Sequence, residues 1–243
     1  MSHSLVLHRG GWSAGMPELQ AVPVPEATDS YVPVPYSRFV EEVKLQLPRF
    51  GLWLSREEYG LASGGRQMFG VMSCRNGRAD SDYCLAIGLR SSYDRSLSVG
   101  LVAGTRVFCC DNLAFSGEVQ AARKHTVNVL RDLPDMVYRM LGAVSRERPR
   151  LDGEVQAMKD RLLSTPEAHH LLIEALRNRA LTAARLTRVL REWEHPRHEE
   201  FEPRSAWSLL NAFTEVGKET GARAQVETSL RLTMLFRRAL SLN

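Results

Sequence analysis

From Asp82 the chain alternates apolar and polar or small positions, with Tyr83, Leu85, Ile87 and Leu89 on one side of an extended segment and Cys84, Ala86, Gly88 and Arg90 on the other. A period of two predicts a strand with one face in a core. A second strand is expected at Gln67–Met72, closed by the turn pair Asn76-Gly77. A third runs through Leu97, Val99 and Leu101 until Gly104 interrupts it, and pairing resumes through Arg106–Cys110. Before the strands, Phe39, Val40, Val43, Leu45 and Leu47 space out a short helix that Pro48 ends.

Beyond Asp111-Asn112 the period lengthens, and Val127, Leu130, Val137 and Leu141 predict a helix that Pro134 should kink or split. Ser164-Thr165-Pro166-Glu167 marks a helix start, since the Ser164 hydroxyl and the Glu167 carboxylate can cap each other. That helix is expected to bury Leu172, Leu176, Leu186 and Leu190, and to be followed by a charged linker from Glu192 to Pro203. Two further helices carry Trp207, Leu210 and Thr214, then Leu232, Leu235, Phe236 and Ala239.

The expected fold class is therefore α+β: an antiparallel meander of three or four strands packed with helices, then a helical second half. The expected organisation is a proline-rich arm at 1–36, an α+β core at 37–145 and a helical region at 146–243 packed on the core. In the arm, Pro23, Pro25, Pro33 and Pro35 prevent a persistent helix and favour extended backbone.

Composition narrows the class more than the function. With 44% hydrophobic and 25% charged residues, the 243-residue chain is neither disordered nor collagen-like. No run is apolar enough for a membrane span and the first residues lack a secretory apolar core, so a cytoplasmic protein without membrane contact is expected. The four cysteines at 74, 84, 109 and 110 form no C-x-x-C pair and read as buried thiols. A net charge of +4 permits a polyanionic partner without requiring one.

Catalytic and cofactor motifs are missing. Ala62-Ser63-Gly64-Gly65-Arg66 has neither phosphate-loop nor dinucleotide spacing and reads as a turn. His195, His198 and Glu199 are separated by Pro196, and the adjacent His169 and His170 point apart, so no metal and no cofactor is expected. Serines lack the G-x-S-x-G context, and Cys109-Cys110 does not open a helix that would activate a thiol. A non-enzymatic protein is expected. The notable chemistry is cationic: Arg90, Arg95 and Arg106 in the strand block, Tyr93 between the first two, and Arg123-Lys124-His125 on the next helix. Guanidinium groups beside a ring suit single-stranded DNA, where cations meet phosphates and the ring stacks a base. The same residues equally suit solvated strand edges.

Three motifs in order carry a resemblance. Leu89-Arg90-Ser91-Ser92-Tyr93-Asp94-Arg95-Ser96-Leu97, then Gly104–Leu113 with Lys124-His125-Thr126, then Ser205–Glu215 resemble a phage- and plasmid-associated family, domain of unknown function 932. That family tends to read N-S-H-D-G-S, R-V-V-C-x-N-T-L with R-H-T, and W-x-x-x-N-A-x-T-E. Tyr93 stands at the family's histidine and Arg95 at its glycine, so a role for that histidine does not carry over. Asp94, Asn112, His125, Trp207 and Asn211 fall on motif positions and are assigned to structure, Asn112 as a cap or turn residue and His125 as its neighbour. The order of short helix, meander and long helix is also similar to Redβ and Erf-type single-strand annealing proteins, which implies a ring or filament of identical subunits on single-stranded DNA. The leading expectation is thus a homo-oligomer that binds and anneals single-stranded DNA and whose Trp207, Leu210, Phe213, Leu235 and Phe236 supply contacts between subunits. Its rival is a mobile-element module that docks on another protein, such as one of host defence.

Overall fold

A computed structural model describes residues 11–75, 83–107, 113–218 and 222–241. These form two compact units, residues 1–106 with 117–146 and residues 107–116 with 147–243.

A six-stranded antiparallel sheet runs in the order β1 (Trp12–Ala14), β2 (Trp53–Ala62), β3 (Gln67–Arg75), β4 (Tyr83–Ser92), β5 (Val99–Val107) and β6 (Leu113–Arg123), and all of it but Val107 and residues 113–116 belongs to the first unit. Each strand lies beside its sequence neighbour, as a meander requires, but the expected three or four strands become six among the described residues. β2 escapes a period-two reading because its register shifts between Leu54 and Arg56, which puts Ser55 in a bulge and reverses the alternation near the start of the strand. β6 replaces the helix expected after Asn112, and β5 runs unbroken through Gly104 to Val107. The expected strand residues Phe108 to Cys110 lie outside the described residues.

Within β3 and β4 the expected alternation holds. Leu85, Ile87 and Leu89 join Met68, Met72 and Cys74 in one core, with Ile87 opposite Met72 in the register. Gly70 is required there, since a Cβ at this position would sit 2.7 Å from the Tyr59 ring. Val71, Ser73, Cys84 and Ala86 on the other face are also buried.

The core face is covered by α2 (Tyr36–Gln46), which buries Tyr36, Phe39, Val40 and Val43, and by α3 (Val129–Asp160), whose Val129, Leu133, Val137, Leu141 and Val144 recur at helical spacing. Leu45, expected to help pack α2, is 66% exposed instead. α3 continues through Pro134 without the expected split. Pro134 lies in its second turn, and its own carbonyl accepts a hydrogen bond from Gln46 Nε2 at 3.0 Å. The described part of the arm packs on this core and includes a helix, α1 (Met16–Ala21), ahead of the prolines. Leu19, Tyr31 and Val34 are buried, so the arm is an integral part of the unit.

The second unit holds the rest of α3 with α4 (Thr165–Arg177), α5 (Ala183–Glu194), α6 (Ala206–Gly217) and α7 (Ala222–Leu240). Ser164 caps α4 as expected: its amide donates to Glu167 at 2.7 Å and its hydroxyl accepts from the Glu167 amide at 3.5 Å. The single helix expected from there is two, broken where Arg179 takes φ +60°. The expected linker is ordered too. Trp193 is buried with the Arg204 guanidinium 5.4 Å from its ring, and Arg197 bridges Glu192 at 3.0 Å and Glu215 at 3.1 Å. None of the helices among the described residues is long and apolar enough to cross a membrane.

Candidate functional site

The link between β4 and β5, residues 93–98, is a turn fixed by short polar side chains. The Asp94 carboxylate accepts from the Ser96 amide at 2.9 Å and from Gln67 Nε2 at 3.0 Å, while Ser92 Oγ donates to the Leu97 carbonyl and accepts from the Leu97 amide. Burial works against the Asp94 charge, but hydrogen bonds from Ser96, Ser92 and Gln67 outweigh it and hold the carboxyl below its usual range. These bonds leave Arg95 in the left-handed region at φ +64°. Glycine fills that position in the resembled motif, and the geometry gives the reason.

Tyr93 points the other way, into the core. Its ring stacks on Tyr36, with centroids 4.0 Å apart and planes within 4°, and its hydroxyl oxygen accepts the Tyr36 amide at 3.2 Å. That amide opens α2, where the Pro35 cap offers no side-chain acceptor, so Tyr93 caps the helix in place of a local residue. Tyr31 completes the group. Its hydroxyl donates to the Tyr93 carbonyl at 3.2 Å, the Arg95 guanidinium lies 4.4 Å above its ring, and the His125 ring is 5.5 Å away.

His125 sits in the connection from β6 to α3. It is buried, its carbonyl accepts the Val32 amide at 3.2 Å, and its Nε2 is 3.4 Å from Ser91 Oγ. Burial lowers its pKa, an effect that backbone groups of Val32 and Leu97 partly offset, so the imidazole is neutral near pH 7. Burial likewise raises the pKa of Tyr31, Tyr36 and Tyr93, which stay protonated. The arm, the β4–β5 turn and the β6–α3 connection therefore meet on three tyrosines and one histidine.

A sequence comparison bears on this cluster. Residues 26–236 match the family described as Domain of unknown function (DUF932). The chain belongs to that family. No curated protein and no solved structure matched the chain. The DUF932 match begins just before Tyr31 and takes in both units, so the tyrosine-bearing arm is part of the family's domain and not a lead-in to it.

Within the DUF932 domain the expected cationic set is only partly gathered. Arg95, over the Tyr31 ring, and Lys124, next to His125 in the chain, are both exposed. Arg90 is exposed on the sheet face away from the core, where its Nε lies 3.0 Å from the place a Cβ on Gly100 would take. Arg123 ends β6 rather than lying on a helix, and it pairs with Asp132. Lys124 and His125 likewise belong to the connection and not to a helix. The side chain of Arg106 and the whole of Asn112 lie outside the described residues. Tyr93 is buried, which is incompatible with the expected stacking of its ring on a base.

Trp207 and Asn211 belong to the second unit, where Asn211 Nδ2 donates to the Trp207 carbonyl at 2.9 Å inside the nearly all-buried α6. Among the described residues no group of three or more His, Cys, Asp or Glu side chains is arranged to hold a metal. Sequence reasoning did not single out Tyr31, Tyr36 or Gln67. The available signal was the segment Tyr31-Val-Pro-Val-Pro-Tyr36, in which prolines stiffen the backbone between two rings.

Proposed function

We propose that this DUF932 protein is a non-enzymatic binder of single-stranded DNA in a mobile-element setting, where it promotes strand annealing; the annealing part of the reading rests only on the expected resemblance in element order to the Redβ and Erf proteins. The observation that carries the reading is the convergence on Tyr31, whose ring meets both the Arg95 guanidinium and the His125 ring next to Lys124. Two exposed cations far apart in the sequence are thereby held at one end of the sheet, with Arg90 one residue from the Ser91 that faces His125. Cations on a rigid frame suit a phosphate backbone, since little side-chain freedom is lost on binding. The Ser91–His125 pair is buried, with Ser91 0% exposed, so the reading gives this pair a structural part and not a catalytic one.

Several subunits would act on one strand, because linked weak contacts raise the affinity that a net charge of +4 gives each subunit. The contacts between them would use other surfaces than those first expected: Trp207, Leu210, Phe213 and Phe236 are buried in the protomer.

Fluorescence anisotropy with a labelled single-stranded oligonucleotide tests the reading. Binding at about 50 mM salt should weaken steeply as salt rises, with a logarithmic slope near −0.7 per phosphate contacted. Arg95→Glu and Lys124→Glu should each weaken it while circular dichroism shows the protein still folded at the assay temperature. No binding at low salt, or binding indifferent to both reversals, overturns the proposal. Light scattering of the protein with the oligonucleotide should show particles several times the 27.4 kDa protomer, and a monomer on DNA would remove the assembly.

A further inference from the structure

A cleft of about 530 Å³ opens between α4 and α7 in the second unit, which contains none of the residues assigned to DNA above. Its apolar lining is Leu171, Met234, Leu235 and Ala239, and Arg231 and Arg238 stand along one side. The way α7 is seated explains why this face looks outward. Leu232 and Phe236 are buried, Phe236 meeting Phe213 edge to face with centroids 6.1 Å apart, and Arg237 is drawn down to Glu154 at 2.7 Å. At 100° per residue those anchors turn Arg231, Met234 and Arg238 to the opposite side as one stripe. Met234 is 61% exposed, so the cleft presents a flexible apolar chain that can adapt its shape to a partner.

The electrostatics of the cleft are one-sided. Arg238 is exposed, and Arg231 uses a single N–H on the Arg179 carbonyl at 3.0 Å, leaving other donors of its guanidinium. The one carboxylate in the lining, Glu174, is already met by Arg177 at 2.7 Å. The two arginines are seven residues apart, which is two helical turns, or about 10.5 Å along the axis. His170 is the only ring in the lining, so the cleft lacks the aromatic platform that single-stranded nucleic acid uses.

We infer that this cleft is a docking site for an acidic amphipathic helix of a partner protein. Two carboxylates one heptad apart on that helix would face Arg231 and Arg238, and the apolar residues three and four positions after the first would cover Met234 and Leu235. Charge complementarity fixes the register of such a helix, and the aliphatic floor supplies the buried area.

The probe is a labelled amphipathic peptide of about 20 residues, long enough to hold a helix, with glutamates one heptad apart and leucines between them. Its partner in the experiment is the full chain, and its control is the same peptide with lysine at the two glutamate positions. The acidic peptide should bind and the lysine peptide should not. Arg238→Gln and Met234→Glu should each raise the dissociation constant about tenfold, with circular dichroism unchanged because both side chains are exposed. Equal binding of the two peptides, no binding of either, or acidic-peptide binding untouched by both substitutions overturns the inference. Loss of oligonucleotide binding in Arg238→Gln, with peptide binding intact, would overturn it as well and assign these cations to nucleic acid. Since Arg95 and Lys124 lie in the other unit, failure of the DNA reading leaves this result unaffected.

Discussion

The Tyr93 hydroxyl oxygen accepts the first amide of α2, that of Tyr36, while the two phenol rings lie face to face. A strand end thus both caps and packs a helix 57 residues earlier in the chain. Tyr93→Phe keeps the stack and removes the acceptor, which should cost about 1–2 kcal/mol for an amide left unpaired in a buried setting. Tyr93→Ala removes both and should cost about 3–5 kcal/mol, as other aromatic deletions in cores do. Urea unfolding of the two variants measures the difference. If Tyr93→Phe unfolds at the same urea concentration as the parent protein, the hydroxyl does not cap α2.

The strand register makes a sharper demand at Ile87, which is 0% exposed and opposite Met72. An unpaired carboxylate there costs several kcal/mol, comparable to the roughly 5–15 kcal/mol that holds a domain together. Ile87→Asp should therefore yield no soluble folded protein, whereas Arg90→Asp, three residues on at an exposed position, should express and melt normally. Folded Ile87→Asp protein would show that position 87 is not buried as this register requires.

His125 gives stability a pH dependence of definite sign. Unfolded, the imidazole titrates near its ordinary value of 6.5, and burial holds it lower in the folded chain. Between those values the unfolded chain takes up a proton that the folded chain refuses. Stability is accordingly full above pH 6.5 and falls as the pH drops through the interval down to the folded value. Melting temperatures from pH 8 to pH 5 should decline less in His125→Gln than in the parent protein. Parallel curves would mean that His125 titrates alike in both states.

At position 95 the backbone and the side chain can be separated experimentally. Arg95→Ala keeps φ at +64° and loses the contact with Tyr31, for which about 0.5–1 kcal/mol of destabilisation is expected. Arg95→Gly loses the same contact and also the steric cost of a left-handed residue, about 1 kcal/mol. The glycine variant should unfold at higher urea than the alanine variant. The reverse order would show that the turn is not left-handed at this residue.

How far the fold could be read from the chain depended on whether local pattern and tertiary pairing agreed. In β4 they agree, since Leu85, Ile87 and Leu89 alternate without interruption, and at Ser164–Glu167 the cap is entirely local. In β2 the bulge at Ser55 changes the phase near the start of the strand, and the polar run Ser55-Arg56-Glu57-Glu58 that follows shows no apolar alternation, so the segment does not read as a strand. β6 has Glu118, Gln120, Ala121 and Ala122 near its end, good helix formers that strand pairing overrides. At the candidate site the cations were legible as residue types, but the burial of Tyr93 was not. Its partners Tyr31 and Tyr36 come from an arm about sixty residues away, and no local period announces such a contact.

Because Asp94, Ser92 and Gln67 hold the 93–98 turn through their own hydrogen bonds, the backbone at position 95 does not depend on the side chain it carries. The site resembles a socket whose fitting can be exchanged. An arginine lays a guanidinium across Tyr31, and a glycine would leave that ring bare, with the frame intact in both cases. Members of one family could then present different chemistry at this end of the sheet by changing a single codon, and what the turn offers a partner could diversify without any rebuilding of the fold.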